Sequence, residues 1–266
     1  MKLPIFLLAI LSATAFAAER PPEKVVAASD LPPKQNLHIF LLMGQSNMAG
    51  RGAVDAESQP DNPRILVFNR GGKWALAADP LHWDKPAAGA GIGLSFAKAM
   101  ADAAPDATIG LVPCAVGGTP LSRWQKEGDL YKAAMVRAKA AAETGTLKGV
   151  LWHQGEADSK EELAATYGKR FEQMVKDLRA ELGTNDLPVV AGELGEFFVA
   201  KSGANAQAVN DALHAVAASL PRVACVDAKG LMHKGDTTHF DTAALREFGR
   251  RYAKAMQALN AKTAKP

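Results

Sequence analysis

The stretch Leu37–Gly52, "LHIFLLMGQSNMAGRG", runs an apolar, strand-like segment directly into a Gly-Gln-Ser-Asn turn. Two readings fit a serine placed there between Gly44 and Gly50. Ser is a favoured helix N-cap and Gly a common turn residue, so Ser46 can simply begin a helix. Alternatively the chain aims a hydroxyl nucleophile out of the carboxyl end of a sheet. The local residues do not choose between these; more distant segments do.

Working outward, short apolar or β-branched runs alternate with longer helical patterns. The strand candidates are 38–43, 109–114, 149–153, 187–192 and 222–226. In "SKEELAATYGKRFEQMVKDLRAELG" (159–183), Leu163, Tyr167, Phe171, Met174, Val175, Leu178 and Leu182 form one stripe. Ser159 with Glu162 reads as a capping box, and Gly183 as the stop. A second helix spans about 206–220 on Val209, Leu213 and Val216. The last begins near Asp241, with Leu245, Phe248, Tyr252 and Leu259 inward. Strand–helix alternation of this kind predicts an α/β fold, a parallel sheet covered on both faces. Sites in such sheets form beyond the carboxyl ends of the strands. Ser46, Gly117, Gln154 and Glu193 each follow a strand candidate.

The ends of the chain read differently. Residues 1–18 carry Lys2, an apolar run from Ile5 to Leu11 and the small-x-small pattern Ala15-Phe16-Ala17. That is the layout of a secretory signal peptide, too short to span a bilayer comfortably. Residues 19–36 hold four prolines without periodicity and read as a flexible leader. About 225 residues remain, 37–260, enough for one α/β domain, and 261–266 form a basic tail. Net charge is +3, and removing Lys2 with the leader leaves +2. Scattered lysines give no nucleic-acid or anionic-membrane signature. The expectation is an exported protein, periplasmic or extracellular, with no integral membrane segment after signal cleavage.

Attack by a serine on an ester requires a proton acceptor and stabilisation of the oxyanion. In "HKGDTTHFDTAALREFGRRYA" (233–253), Asp236 and His239 stand three apart just before the last helix. A carboxylate so placed can hold one ring nitrogen while the other faces the serine. The bland alternative makes the aspartates caps and His239 a surface residue; Asp241 suits the cap, leaving Asp236 free. "CAVGGTPLSRW" (114–124) offers Gly117 and Gly118 as backbone donors, though a plain turn explains them too. "VLWHQGEADS" (150–159) offers Gln154, a neutral amide that donates without titrating. Glu156 and Asp158 lack a third metal ligand, so a hydrogen-bonding role suits Glu156 better. "GAGIGLSFA" (89–97) misses the glycine a nucleotide loop needs. Trp124 and Arg123 are candidates for a sugar-contacting rim, with core packing equally open for Trp124. Glu193 has a place near the cleft but no assignable role.

"GQSNMAGRG" (44–52), "VGGT" (116–119), "WHQGEAD" (152–158) and "DTTHF" (236–240), together with "GIGLSFAKAM" (91–100) after a hairpin-like 64–77 region, occur in one order. This combination resembles the SGNH hydrolases, in particular the sialate O-acetylesterase-like domain and the acetylxylan esterases of carbohydrate esterase family six. The resemblance covers about 37–259. It implies a flavodoxin-like, five-stranded parallel sheet of order 2-1-3-4-5. It also implies Ser46 as nucleophile, His239 as general base then acid, and Asp236 as its orienting carboxylate. The oxyanion hole would comprise the N–H groups of Ser46 and Gly117 and the Gln154 side chain, supported by Gln45, Gly118 and Glu156. The wider group carries asparagine where this chain has Gln154. No metal or cofactor is implied, and the partner is an acetylated carbohydrate. A non-catalytic carbohydrate-binding module, or an esterase for lipids or thioesters, are the alternatives; the polar loop 53–63 favours a sugar. In the implied strand order Cys114 and Cys225 lie on opposite edges, predicting two free, buried thiols.

Overall fold

The computed structural model describes residues 23–261. The expected signal peptide and most of the basic tail lie outside the described residues. Seven strands form one mixed sheet: β1 (Leu37–Gly44), β2 (Ile65–Phe68), β3 (Trp74–Leu76), β4 (Thr108–Pro113), β5 (Thr146–His153), β6 (Val189–Gly192) and β7 (Val223–Val226). Their order is β3-β2-β4-β1-β5-β6-β7. The helices are α1 (Ser46–Ala49), α2 (Ile92–Ala103), α3 (Asp129–Ala142), α4 (Glu161–Ala164), α5 (Tyr167–Glu181), α6 (Glu196–Ser202), α7 (Ala204–Ser219) and α8 (Thr242–Ala261).

The five strands anticipated from sequence stand in the anticipated relative order, but a five-stranded parallel sheet is not what forms. The 64–77 region adds β2 parallel to β4, and β3 returns antiparallel on β2. These two strands have four and three residues, too short for hydrophobic alternation to register.

β1 is central, and its residues alternate between two cores as the period of a strand requires. Ile39, Leu41 and Met43 face one cluster, with Trp152, Phe171 and Leu213. Phe40 and Leu42 face the other, with Phe96, Phe248 and Tyr252. Burial on both faces explains why β1 reads as an unbroken apolar run.

Further details differ from the expectations. The 159–183 helix is two helices, broken between Ala164 and Tyr167. Arg170 Nη2 takes the Leu163 carbonyl at 2.7 Å and bonds Asp158 at 2.9 Å. Ser159 donates to the Gly155 carbonyl rather than joining a capping box. The described part of the leader is held in place. Val26 N–H and the Lys24 carbonyl bond to Trp74 and Leu76, bridging Val25 to Ala75 on β3. Cys114 and Cys225 are free but half-buried, and Cys114 follows an interior strand because the hairpin lies outside it. Three strands separate them, about 19 Å at the usual interstrand spacing. Among the described residues no helix is long and apolar enough to cross a membrane.

Candidate active site

Ser46 stands at the carboxyl end of β1, where Gly44 makes the exit. Gly44 has φ +129°, and a Cβ there would collide with the His153 carbonyl, so only glycine fits. Gln45 N–H then bonds that same carbonyl at 2.8 Å. Ser46 opens α1, a single turn without a side-chain cap, so the cap reading fails. So short a helix has little macrodipole to offer an anion at its N-terminus.

The loop before α8 meets this serine. His239 Nε2 lies 3.0 Å from Ser46 Oγ, and His239 Nδ1 lies 2.7 Å from Asp236 Oδ2. Asp236 Oδ1 also accepts the N–H groups of Thr238 (2.9 Å) and His239 (2.7 Å). Partial burial works to raise the Asp236 pKa, but the His239 N–H and ring and the Thr238 N–H outweigh it and hold the carboxyl far below its usual range. The turn uses an unusual conformation: Thr237, β-branched, sits at φ +52°. His233 Nδ1 accepts the N–H groups of Gly235 and Thr237, bracing it. Asp241 Oδ1 caps α8 through Ala244 N–H at 2.7 Å, which frees Asp236 for the imidazole.

Asn47 went unrecognised in the sequence because its role is entirely tertiary. Its Nδ2 donates to Glu156 Oε1 (2.6 Å) and the Thr238 carbonyl (3.1 Å), and its Oδ1 accepts Phe240 N–H (3.1 Å). One side chain thus ties the histidine loop to the residue after the serine. The signal the sequence did offer was its place beside Ser46 in "GQSN". His153 is fully buried; burial lowers its pKa, and its Nε2 donates to the Glu193 carbonyl. It packs against Phe240 and Phe248 rather than reacting.

The oxyanion side departs from expectation. Gln154 is 0% exposed, and its Nε2 faces Asp158 Oδ2 (2.6 Å), the Thr119 carbonyl (3.1 Å) and Gln45 Oε1 (3.3 Å). Tyr167 Oη–H lies between the Gln154 main-chain carbonyl (2.8 Å) and Gln154 Oε1 (3.0 Å). Two N–H bonds facing three acceptors leave no donor for an oxyanion. Gly117 lies against Ser46, where a Cβ would strike Arg51 Nη2 and come within 3.3 Å of Ser46 Cβ. Yet its N–H is bonded to Asp84 Oδ2 at 2.8 Å. Asp84 also pairs with Arg51 at 2.6 Å, and both side chains are nearly buried. Burial would raise the Asp84 pKa, but Arg51 and the Gly117 N–H hold it below the ordinary value. Gly118 is exposed at φ +76°.

The remaining candidates resolve by contact. Trp124 is core: fully buried, edge-on to Trp152 at 5.6 Å, its indole N–H on Thr119. Arg123 pairs with Asp129. Glu193 binds His214 and the Ala228 N–H. Asp158, besides Gln154, accepts Leu121 N–H and pairs with Arg170. Among the described residues no three His, Cys, Asp or Glu side chains cluster to hold a metal ion.

A hydroxyl, imidazole and carboxylate in relay at the carboxyl edge of a doubly covered sheet define a hydrolase-type site. Comparison with known proteins then places the chain: residues 36–258 match the family model "Carbohydrate esterase, sialic acid-specific acetylesterase", and the chain belongs to that family of enzymes. It is 35% identical over 254 residues to a probable carbohydrate esterase of Arabidopsis thaliana, covering 88% of this chain and 94% of that protein. The X-ray structure of an Arabidopsis thaliana protein superposes with a TM-score of 0.77 at 34% identity, covering 85% of this chain and 99% of that one. NanS gives 0.69 at 20% identity, covering 86% and 99%. A carbohydrate acetylesterase of Xanthomonas citri gives 0.65 at 20% identity, covering 84% of this chain and 56% of that one.

Proposed function

We propose that this carbohydrate esterase is an exported serine enzyme that removes O-acetyl groups from a sugar of the acetylxylan or O-acetylated sialic acid type. The observation that carries the mechanism is the contact of His239 with Ser46 at 3.0 Å while its other nitrogen binds Asp236 at 2.7 Å. Ser46 Oγ attacks the acetyl carbonyl as its proton passes to His239 Nε2, giving a tetrahedral oxyanion. Collapse breaks the bond to the sugar oxygen, which takes that proton, and leaves acetyl on Ser46. Water then attacks, again losing its proton to His239, and acetate departs with Ser46 reprotonated. Asp236, ionised because its carboxyl is held low, stabilises the imidazolium. Export rests on the signal-like residues 1–18.

The test measures acetate released from acetylated xylan, O-acetylated sialic acid and 4-nitrophenyl acetate by the parent chain and Ser46→Ala. Release by the parent and a loss of at least ~10³-fold in the variant, with its thermal melt unchanged, is the expected result. Undiminished release by Ser46→Ala refutes the serine mechanism.

A further inference from the structure

Three of the four tryptophans serve the fold alone. Trp74, Trp124 and Trp152 are 4% exposed or less, and each indole N–H is bonded internally, to Thr144 at 2.8 Å, Thr119 at 3.1 Å and Tyr167 at 3.2 Å. Trp83 differs on both counts. It is only half-buried, and its Nε1–H has no protein partner among the described residues and is not sealed from solvent. An indole buried for packing finds a partner for its N–H; this one leaves its donor open.

Trp83 stands at the same edge of the sheet as the serine. Asp84, the next residue, accepts Gly117 N–H, and Gly117 lies against Ser46. Lys85 Nζ reaches toward Gly118, 3.9 Å from where a Cβ would stand there. The Arg137 guanidinium lies over the Trp83 ring, 4.8 Å from its centroid. That guanidinium is fixed by the carbonyls of Phe68, Asn69 and Pro113, which end or follow β2 and β4. In the sheet β2 is two strands from β1, about 10 Å at the usual spacing. One face of the ring is thus backed by a clamped cation, so the platform is rigid before anything binds.

A pyranose ring offers an apolar C–H face rimmed by hydroxyls, which suits an indole with an open N–H. On the carbohydrate-esterase reading above, we propose that Trp83 binds a neighbouring sugar ring of a polymeric substrate while the acetylated residue sits at Ser46. The substrate class is then an acetylated polysaccharide of the xylan type rather than a free acetylated monosaccharide. The aromatic rim that Trp124 does not supply is supplied by Trp83.

Trp83→Ala should raise KM for acetylated xylan about tenfold with kcat within about twofold. Both constants for 4-nitrophenyl acetate, which has no neighbouring sugar, should stay within about twofold of the parent's. Trp83→Phe, which keeps a ring against Arg137, should recover most of the KM. Unchanged KM for acetylated xylan in Trp83→Ala overturns the proposal. Equal losses on both substrates also overturn it, because Trp83 would then act through Asp84 and the fold. So does a parent chain that deacetylates O-acetylated sialic acid but not xylan. A second readout uses the parent chain and does not depend on how well the variants fold. N-bromosuccinimide should oxidise Trp83 ahead of the three buried indoles, read by peptide mass, and unacetylated xylan should slow that oxidation. Equal rates with and without xylan overturn the proposal. Ser46→Ala assayed alongside keeps the two claims apart. Activity in Ser46→Ala removes the serine mechanism, whereas an inert Ser46→Ala with an indifferent Trp83→Ala removes only the glycan contact.

Discussion

The two flanks of Ser46 are built in opposite ways. On the histidine flank, Asp236 and His239 are partly exposed on a tight loop and hold one another through local bonds three residues apart. On the glutamine flank, Gln154 and Asp158 are fully buried and saturated by partners from the 119–121 turn and α5. The exposed flank carries groups free to move a proton. The buried flank carries groups that have no capacity left and can only hold others still. On the proposed mechanism similar polar residues do chemistry on one side and architecture on the other, according to how many of their bonds the fold has already claimed.

The sharpest way to break this contrast is Asp236→Asn. It should cost about 10²–10⁴-fold in kcat by leaving the imidazole in the wrong tautomer and uncompensated when charged. Because the site is partly exposed, solvent discounts the carboxylate's contribution to stability and the melting temperature should fall only modestly; kinetics with an aryl acetate and a thermal melt on one sample read both. A large melting shift with intact kcat would reverse the assignment of the two flanks.

Asp158→Ala is the converse experiment. It strands the Leu121 N–H, leaves the buried end of the Arg170 guanidinium without its carboxylate, and takes from Gln154 Nε2 the nearest of its three acceptors. The expected loss is about 3–5 kcal/mol of stability, measured by urea unfolding. Loss of activity without loss of stability would mean that the buried flank does chemistry after all.

The smallest expected effect lies in acid. The depressed Asp236 pKa contributes stability that is present above the unfolded value near 4 and is lost as pH falls below it. Unfolding followed from pH 5 to pH 2 should therefore fall less steeply for Asp236→Asn than for the parent. Equal slopes would show that the carboxylate is not held low in the folded chain.

The histidine flank was legible because D-x-x-H is a local geometry that the intervening turn imposes, whatever surrounds it. The glutamine flank was not. "HQGE" shows that Gln154 can donate, but the acceptors that claim it come from Thr119, Asp158 and Gln45, which only the sheet brings together. Asn47 was missed for the same reason, its partners lying more than a hundred residues away. The hairpin β2–β3 escaped for a different one, since three or four residues carry too little periodicity.

By itself the sequence determined the α/β class, five of the seven strands with, through the resemblance, their relative order, and the three residues that the fold brings into relay. Periodicity and local turns are written residue by residue, and burial on both faces leaves an unmistakable apolar signature. Tertiary structure alone decided the width of the sheet and the partner of each buried amide. A hydrogen-bond donor is assigned only by competition among acceptors, and that competition exists only once distant strands have delivered them to the same place.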